Sequence, residues 1–178
     1  MEGMIKKARK GDGEAFTRLM QAHMQDMYKT AWAILRNDED AADAVSDTIL
    51  ACWEKLYQLK QDRYFKTWMI RILINNCNAI LQKKRGIADP GTSEEKERFL
   101  EIPYVEKGYQ EAEWREVLNG IEEKYRLVLL LYYMEGFSVK EIGRILEMPE
   151  ATVRTRLARG RARLKEKYRE PESRRVTG

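Results

Sequence analysis

The sequence has few of the residues that cofactor, metal and redox sites require. Among its 178 residues are two cysteines, Cys52 and Cys77, and one histidine, His23. The cysteines match no metal spacing and no disulfide framework, and each lies on an apolar helical face, which predicts two buried thiols. No Ser/His/Asp set, glycine-rich phosphate loop or metal spacing accompanies His23, so we expect no enzyme, no cofactor and no metal site.

Long apolar runs are also missing. The longest, residues 127–134, is well short of the roughly 18 apolar residues that a membrane span requires. Residues 1–16 lack the apolar region of a secretory signal peptide. We therefore expect a cytoplasmic protein that does not insert into a membrane. The net charge is only +4, so any basic surface must come from where the charges are placed.

What the sequence does contain is helical periodicity, and almost nothing alternates with the two-residue period of a strand. Apolar residues and capping residues predict three helices in the first half, over residues 13–35, 37–59 and 64–85. Two more helices are predicted from about Glu113 and through residues 122–135. The expected fold class is all-α.

A change of composition separates the two halves. Residues 86–112 contain proline, glycine and serine, with seven acidic against three basic side chains. Such a composition is typical of a linker. We therefore predict two small helical domains, residues 1–86 and 113–178, joined by a flexible acidic linker over residues 87–112. The second domain ends in a basic C-terminal tail.

Two turns near the end of the chain indicate a helix-turn-helix. Ser138 and Glu141 form the pattern of a capping box, and Gly143 is small enough for another helix to cross closely. Met148-Pro149 ends this helix and begins the next, because proline is tolerated in a first helical turn. Glu147 stands in the turn, where glycine would adopt a left-handed conformation more easily.

The second helix of this motif is strongly basic, with eight Lys and Arg residues between Arg154 and Arg169. A solvated basic surface is the alternative, but only Glu150 and Glu166 are available for pairing along the helix. An outward-facing basic helix after a tight turn predicts DNA contact. The predicted base contacts, opposite the apolar positions, are Arg154, Thr155, Ala158 and Arg159. The predicted phosphate contacts, further round, are Arg156, Arg161, Arg163 and Lys165.

Both halves resemble known parts of one family. Residues 125–166 resemble the promoter −35-binding region of sigma-70 family factors. Residues 39–59 followed by 65–85 resemble their core-binding and −10-binding region. The order, the short length and the absence of a middle domain resemble the extracytoplasmic-function (ECF) subgroup. This resemblance implies a promoter-specificity subunit that binds core RNA polymerase and promoter DNA and is held inactive by an anti-sigma factor.

The resemblance also implies a polymerase contact on the second helix. The family docks this surface on the polymerase, and the matching acidic residues are Asp40, Asp43 and Asp47. Acids also favour a helix N-terminus by about 0.3–1 kcal/mol each, which explains Asp47 less well because it lies two turns into the helix. Val45-Ser46 departs from the Leu-Gln that is more frequent in the family.

The resemblance places −10 recognition around the third helix. The family loop that captures an extruded base is matched by Lys60, Gln61, Asp62, Arg63 and Tyr64. Further −10 contacts are expected on one exposed stripe, from Arg71, Asn75 and Asn78. Phosphate contacts, or simply a solvated helix end, are expected of Lys83, Lys84 and Arg85. Phe65 and Trp68 lie on the inward face and are expected in the core.

The linker constrains how the two domains could work together. Elements about two helical turns apart lie roughly 70 Å from each other on DNA. The 27 residues from 86 to 112 reach ~90 Å when fully extended but only ~30 Å as a relaxed coil. Polymerase would have to hold the linker stretched, so we expect weak promoter binding without it.

Two other functions remain open at this point. A stand-alone regulator would need a sensing pocket or a dimer interface in residues 1–86, where neither a ligand constellation nor a heptad seam is evident. An RNA-binding or architectural protein fits the charge but leaves the acidic residues of the second helix and the linker unexplained.

Overall fold

The computed structural model describes residues 1–86 and 109–169, and the side chains of residues 1–86 and 113–169. These described residues form helices and turns without a strand, and the chain divides into two compact units. The predicted all-α class with two helical domains is confirmed. Of the predicted linker, residues 87–112, only residues 109–112 are described, and they are helical. The predicted C-terminal tail after residue 169 lies outside the described residues.

The described part of the first unit, residues 1–86, contains four helices. They are α1 (Glu2–Arg9), α2 (Gly13–Leu35), α3 (Asp38–Lys55) and α4 (Phe65–Lys84). Two short 3₁₀ turns, Leu56–Gln58 and Asp62–Tyr64, connect α3 to α4. The predicted helices are present, although the second ends at Lys55, where the chain tightens into the first 3₁₀ turn. Helix α1 was missed by the sequence analysis.

Local capping and apolar stripes define this unit. The Asp12 carboxylate accepts a hydrogen bond from the Ala15 amide at 3.0 Å, and the Asn37 side chain accepts one from the Asp40 amide at 2.9 Å. Helices α2, α3 and α4 pack around a shared core. Its fully buried side chains include Leu19, Met27, Val45, Met69 and Leu73. Phe65 is buried as predicted, whereas Trp68 is only half-buried.

The two cysteines lie in this core. Cys52 on α3 and Cys77 on α4 are both free and fully buried, which confirms the prediction. Burial raises the pKa of each thiol to about 12 because the thiolate would lose its hydration. The same two helices are joined by a polar contact, in which the Asn76 side chain donates to the Thr48 hydroxyl at 3.0 Å.

Residues 109–169, the described part of the second unit, contain four further helices. They are α5 (Tyr109–Leu118), α6 (Glu123–Leu129), α7 (Val139–Leu146) and α8 (Glu150–Arg169). Helix α6 continues into a π-helical turn, Leu130–Met134, where the sequence predicted one continuous α-helix. Leu130 and Leu131 remain buried there, and the chain then exposes Tyr132, Tyr133 and Met134. A π turn widens the helix by one residue, a local change that apolar periodicity does not reveal.

Helices α7 and α8 form the predicted helix-turn-helix. The Glu141 amide donates to the Ser138 hydroxyl at 3.2 Å and the Glu141 carboxylate accepts from the Ser138 amide at 2.8 Å, which completes the capping box. Glu147 adopts the left-handed conformation with φ 54°. A Cβ atom on Gly143 would lie 2.9 Å from the Met148 carbonyl oxygen and 3.9 Å from the Glu150 backbone nitrogen, so Gly143 makes room for the turn and for the first residue of α8.

Two contacts hold α8 in place. A Cβ atom on Gly160 would lie 3.0 Å from the Leu129 side chain, so the close helix crossing occurs at Gly160, between α8 and α6. Val153 and Leu157 are buried on the same side of α8. Near the other end, the Lys167 ammonium donates to the Asn119 carbonyl at 2.9 Å and to the Glu116 carbonyl at the C-terminal end of α5. A cation suits that end because helix carbonyls there carry partial negative charge.

Both thiols are expected to resist a water-soluble disulfide reagent at pH 8 and to react once the chain is unfolded in denaturant. Their folded pKa of about 12 exceeds the unfolded value of about 8.5, so the folded state retains protons that the unfolded chain releases. Their contribution to the free energy of unfolding therefore falls as the pH rises above about 8.5. A Cys52→Ala/Cys77→Ala variant shows how much of the pH dependence comes from the other titrating groups. Two reactive thiols in the folded protein would contradict the expected resistance to the reagent.

Replacing Glu147 with glycine is expected to stabilise the second unit by about 1 kcal/mol, because glycine adopts positive φ without a steric cost. Thermal unfolding measures the change. Lys140→Gly is the matched control, since Lys140 is exposed inside α7 and glycine there should cost about 1 kcal/mol. A loss of stability in Glu147→Gly would mean that contacts of the glutamate side chain outweigh its backbone strain.

Candidate nucleic-acid interface

The outward face of α8 presents all four predicted base-contact residues. Helix α8 begins directly after Pro149, whose carbonyl accepts from the Thr152 and Val153 amides at 3.0 and 3.2 Å. Burial of Val153, Leu157 and Gly160 on one side leaves the opposite side in solvent. The residues exposed there are Arg154, Thr155, Ala158 and Arg159. This geometry suits a helix that inserts side chains into a DNA groove.

The predicted phosphate contacts of α8 are divided by burial. Arg161, Arg163 and Lys165 are exposed, whereas Arg156 is half-buried. Arg156 lines an open cleft of about 390 Å³ between α8 and the start of α6. The other residues that line this cleft are Lys124, Tyr125, Ala151, Thr152, Thr155 and Arg159. The cleft is therefore cationic and continuous with the base-contact face.

Several basic side chains of α8 have partners within the second unit. Arg154 pairs with Glu150 at 3.2 Å, and Arg163 lies 3.7 Å from Glu122 and from Glu166. The Arg161 guanidinium donates to the Tyr133 hydroxyl at 3.2 Å. Exposed pairs of this kind contribute about 0–1 kcal/mol. A phosphate or a guanine edge can therefore replace these partners at little cost.

The first unit presents its predicted −10 residues on α4. Arg71, Asn75 and Asn78 are exposed at steps of four and three residues, so they form one stripe along the helix. Lys83, Lys84 and Arg85 are exposed at the C-terminal end of the same helix. The stripe offers amide groups, which both donate and accept hydrogen bonds, next to cations.

The loop before α4 has an outward and an inward side. Lys60, Gln61 and Arg63 are exposed. Arg63 donates to the Gln61 side chain at 2.8 Å and lies 4.7 Å above the ring of the half-buried Tyr64. The Asp62 carboxylate points the other way, with its side chain 11% exposed, and forms an ion pair with Arg9 of α1. Sequence reasoning treated the five residues alike and missed Arg9.

The acidic residues of α3 differ in their surroundings. Asp43 is exposed, and Asp40 and Asp47 are half-buried. Asp40 forms an ion pair with Lys84, so a predicted polymerase contact is engaged with a predicted phosphate contact. The outer surface of the same helix also carries exposed apolar side chains, Leu50 and Trp53, which the sequence analysis did not single out. Their separation of three residues on an otherwise polar face was the available signal.

Neither unit presents the chemistry of a metal site within the described ranges. In residues 1–86 and 109–169, no group of three His, Cys, Asp or Glu side chains could hold a metal ion. His23 is buried, with its ring 5.6 Å from that of Phe65 and its Nδ1 3.7 Å from the Asp26 carboxylate. No helix among these residues combines the length and the apolar character that crossing a membrane would require.

Two helical units, one of which contains a helix-turn-helix with exposed arginines on its second helix, are typical of DNA-binding proteins. Residues 19–86 match the family Sigma-70 region 2, and residues 111–164 match Sigma-70, region 4, together covering more than two thirds of the chain. The chain belongs to the sigma-70 family of RNA polymerase sigma factors, in its ECF group. It directs promoter-specific transcription initiation with core RNA polymerase, and its two regions fit −10 and −35 recognition.

Individual relatives are similar along most of the chain. The ECF RNA polymerase sigma factor SigW of Bacillus subtilis is 28% identical over 194 aligned positions, which cover 96% of this chain and 100% of that protein. The ECF RNA polymerase sigma factor SigM of Mycobacterium tuberculosis is 27% identical over 154 positions, which cover 86% of this chain and 77% of that protein.

Solved structures share the fold. CnrH, in complex with the cytosolic domain of CnrY, matches with a TM-score of 0.66 at 22% identity and covers 96% of this chain and 98% of that one. RpoE from Bartonella quintana, in complex with the anti-sigma factor NepR, has a TM-score of 0.66 at 19% identity and covers 88% of this chain and 98% of that one.

Proposed function

We propose that residues 113–178 read the −35 element through the outward face of α8. The supporting observation is that burial of Val153 and Leu157 orients four predicted base-contact residues to solvent together. Arginine reads guanine with two donors, and threonine contacts a thymine methyl group or a polar base atom. The base contacts are Arg154, Thr155, Ala158 and Arg159. The phosphate contacts are Arg156, Arg161, Arg163 and Lys165.

We further propose that residues 1–86 open and hold the −10 element. The stripe Arg71, Asn75 and Asn78 faces the DNA, with phosphates neutralised by Lys83, Lys84 and Arg85. The loop formed by residues 60–64 receives an extruded base of the non-template strand on its outer side, where Lys60, Gln61 and Arg63 are exposed. Extrusion costs a few kcal/mol, so it is favoured by a loop that is already ordered, as the contacts of Arg63 with Gln61 and Tyr64 suggest.

Core RNA polymerase holds both surfaces on one promoter. We propose that Asp40, Asp43 and Asp47 of α3 contact the polymerase, and that residues 87–112 are the linker stretched between the two domains. The polymerase synthesises the RNA, and this chain contributes no catalytic group. We propose that the chain carries out this role in transcription initiation in the cytoplasm. Because CnrH and RpoE were each solved with a protein bound, NepR being an anti-sigma factor, we propose that an anti-sigma protein also restrains this chain.

Run-off transcription from genomic fragments, with core polymerase in the presence and absence of the chain, tests the proposal. Asn75→Ala should slow opening of the −10 region by about tenfold, seen as reduced permanganate reactivity of thymines, because one amide contact in the stripe is lost. Gln21→Ala, at an exposed position of α2 with no assigned role, is the control. Start sites that the wild-type chain does not change would refute the function, and normal opening by Asn75→Ala would refute its assigned role.

Base contacts and phosphate contacts should respond differently to substitution. Arg154→Ala is expected to cost about 1–3 kcal/mol on the preferred −35 sequence and little on other sequences. Arg161→Ala should weaken binding about equally on all sequences and lower the slope of log affinity against log salt by about 1. Holoenzyme binding to promoter fragments at several salt concentrations measures both. Equal losses on all sequences for Arg154→Ala would remove it from the base-contact set.

A further inference from the structure

The short helix α1 supports the loop that precedes α4. Ile5 and Ala8 are buried with 2% and 3% exposure, and α1 packs on α2 and on both 3₁₀ turns between α3 and α4. Arg9, the last residue of α1, pairs with Asp62, the first residue of the second 3₁₀ turn. The chain therefore folds its N-terminal helix against the same turn that lies beside the −10 surface.

The Arg9–Asp62 pair is better covered than the Arg18–Glu14 pair on α2. Its side chains are 30% and 11% exposed, whereas those of the Arg18–Glu14 pair on α2 are 67% and 75% exposed. Water screens a covered pair less, so its attraction is stronger than that of an exposed pair. Separating Arg9 from Asp62 would also leave a largely buried carboxylate without its cation, which is costly.

The direction of the Asp62 side chain sets it apart from its neighbours. Gln61 and Arg63 on either side are exposed, and the turn between them is closed by the Tyr64 amide donating to the Gln61 carbonyl at 3.1 Å. A carboxylate that reached towards DNA would meet phosphates of its own charge. The Asp62 carboxylate instead faces α1 and holds the inner side of the turn, so the outer side can contact DNA.

We propose that Arg9 and Asp62 are positioning residues for promoter opening, through an ion pair that holds the base-capturing turn in its binding shape. The inference rests on the proposed −10 role of residues 60–64. A turn fixed before the base arrives loses little conformational entropy on capture. A turn released from α1 must be ordered at that moment, so capture and opening become slower. Asp62 thus acts through the turn and not by touching the base.

A double-mutant cycle tests the pair. Arg9→Met keeps the length and packing of the side chain without its charge, and Asp62→Asn keeps the shape of the carboxylate without its charge. Each variant of the full chain, assembled with core polymerase, is expected to open a duplex promoter about fivefold to tenfold more slowly, as followed by permanganate reactivity. Because both substitutions break one contact, the double variant should be no slower than either single variant.

Two additional measurements separate positioning from a general loss of structure. Affinity for core polymerase should change much less than the opening rate in both variants. The Asp62→Asn variant, which leaves no buried carboxylate without a cation, should also unfold at nearly the wild-type temperature. Arg9→Lys, which retains the cation, should recover a large part of the rate. Arg18→Met is the matched control, because it removes an arginine from an exposed pair of the same unit and should leave opening unchanged.

The outcomes distinguish this inference from the proposed function. If the wild-type chain directs transcription but Arg9→Met opens the promoter as fast as Arg18→Met, the positioning role is refuted and the proposed function stands. If the losses from Arg9→Met and Asp62→Asn multiply in the double variant, the two residues act independently, and a direct DNA contact by Asp62 replaces the proposal. If the wild-type chain does not alter transcription, the proposed function itself fails.

Discussion

The close packing of α8 on α6 determines which side of α8 faces solvent in this sigma factor. At Gly160 the two helices approach so closely that a Cβ atom would lie 3.0 Å from Leu129. Because Val153, Leu157 and Gly160 face inward, helical periodicity turns Arg154, Thr155 and the other proposed base-contact residues outward. The side chains that we propose contact DNA are therefore oriented by apolar residues on the opposite side of α8.

Several charged residues for which we propose partner contacts also form ion pairs within the fold. Asp40 pairs with Lys84, Arg154 with Glu150 and Asp62 with Arg9. The Arg154–Glu150 pair is exposed and therefore weak, so the DNA contact that we propose for Arg154 replaces it at little cost. The Arg9–Asp62 pair is the more covered one and behaves as a structural contact. Solvent coverage, and not the residue type, separates these two kinds of charge.

Much of the fold was predictable because local rules govern it. Apolar spacing located α2 over residues 13–35, and Ser138 with Glu141 marked the start of α7. Helix α1 was not predicted because its eight residues contain only two buried side chains, too few to show a helical repeat of apolar residues. The roles of Gly143 and Gly160 could not be separated, since both are small and only tertiary structure shows what each approaches.

The candidate site was predictable to a similar extent and for similar reasons. The outward face of α8 follows from periodicity within a single helix. The ion pairs do not, because Arg9 and Asp62 are 53 residues apart and Asp40 and Lys84 are 44 apart. No pattern in one sequence selects such partners among its many charges. The inward direction of Asp62 became visible only when the helix that it meets was in place.

Lys167 joins the last turn of α8 to the C-terminal end of α5. Helix α5 follows the linker in sequence, and its last carbonyls hold the ammonium group of Lys167 near the end of α8. Lys167 lies about three and a half helical turns along α8 from Arg154 and Thr155. The contact that joins α8 to α5 and the side chains that we propose contact bases therefore lie on different parts of the same helix.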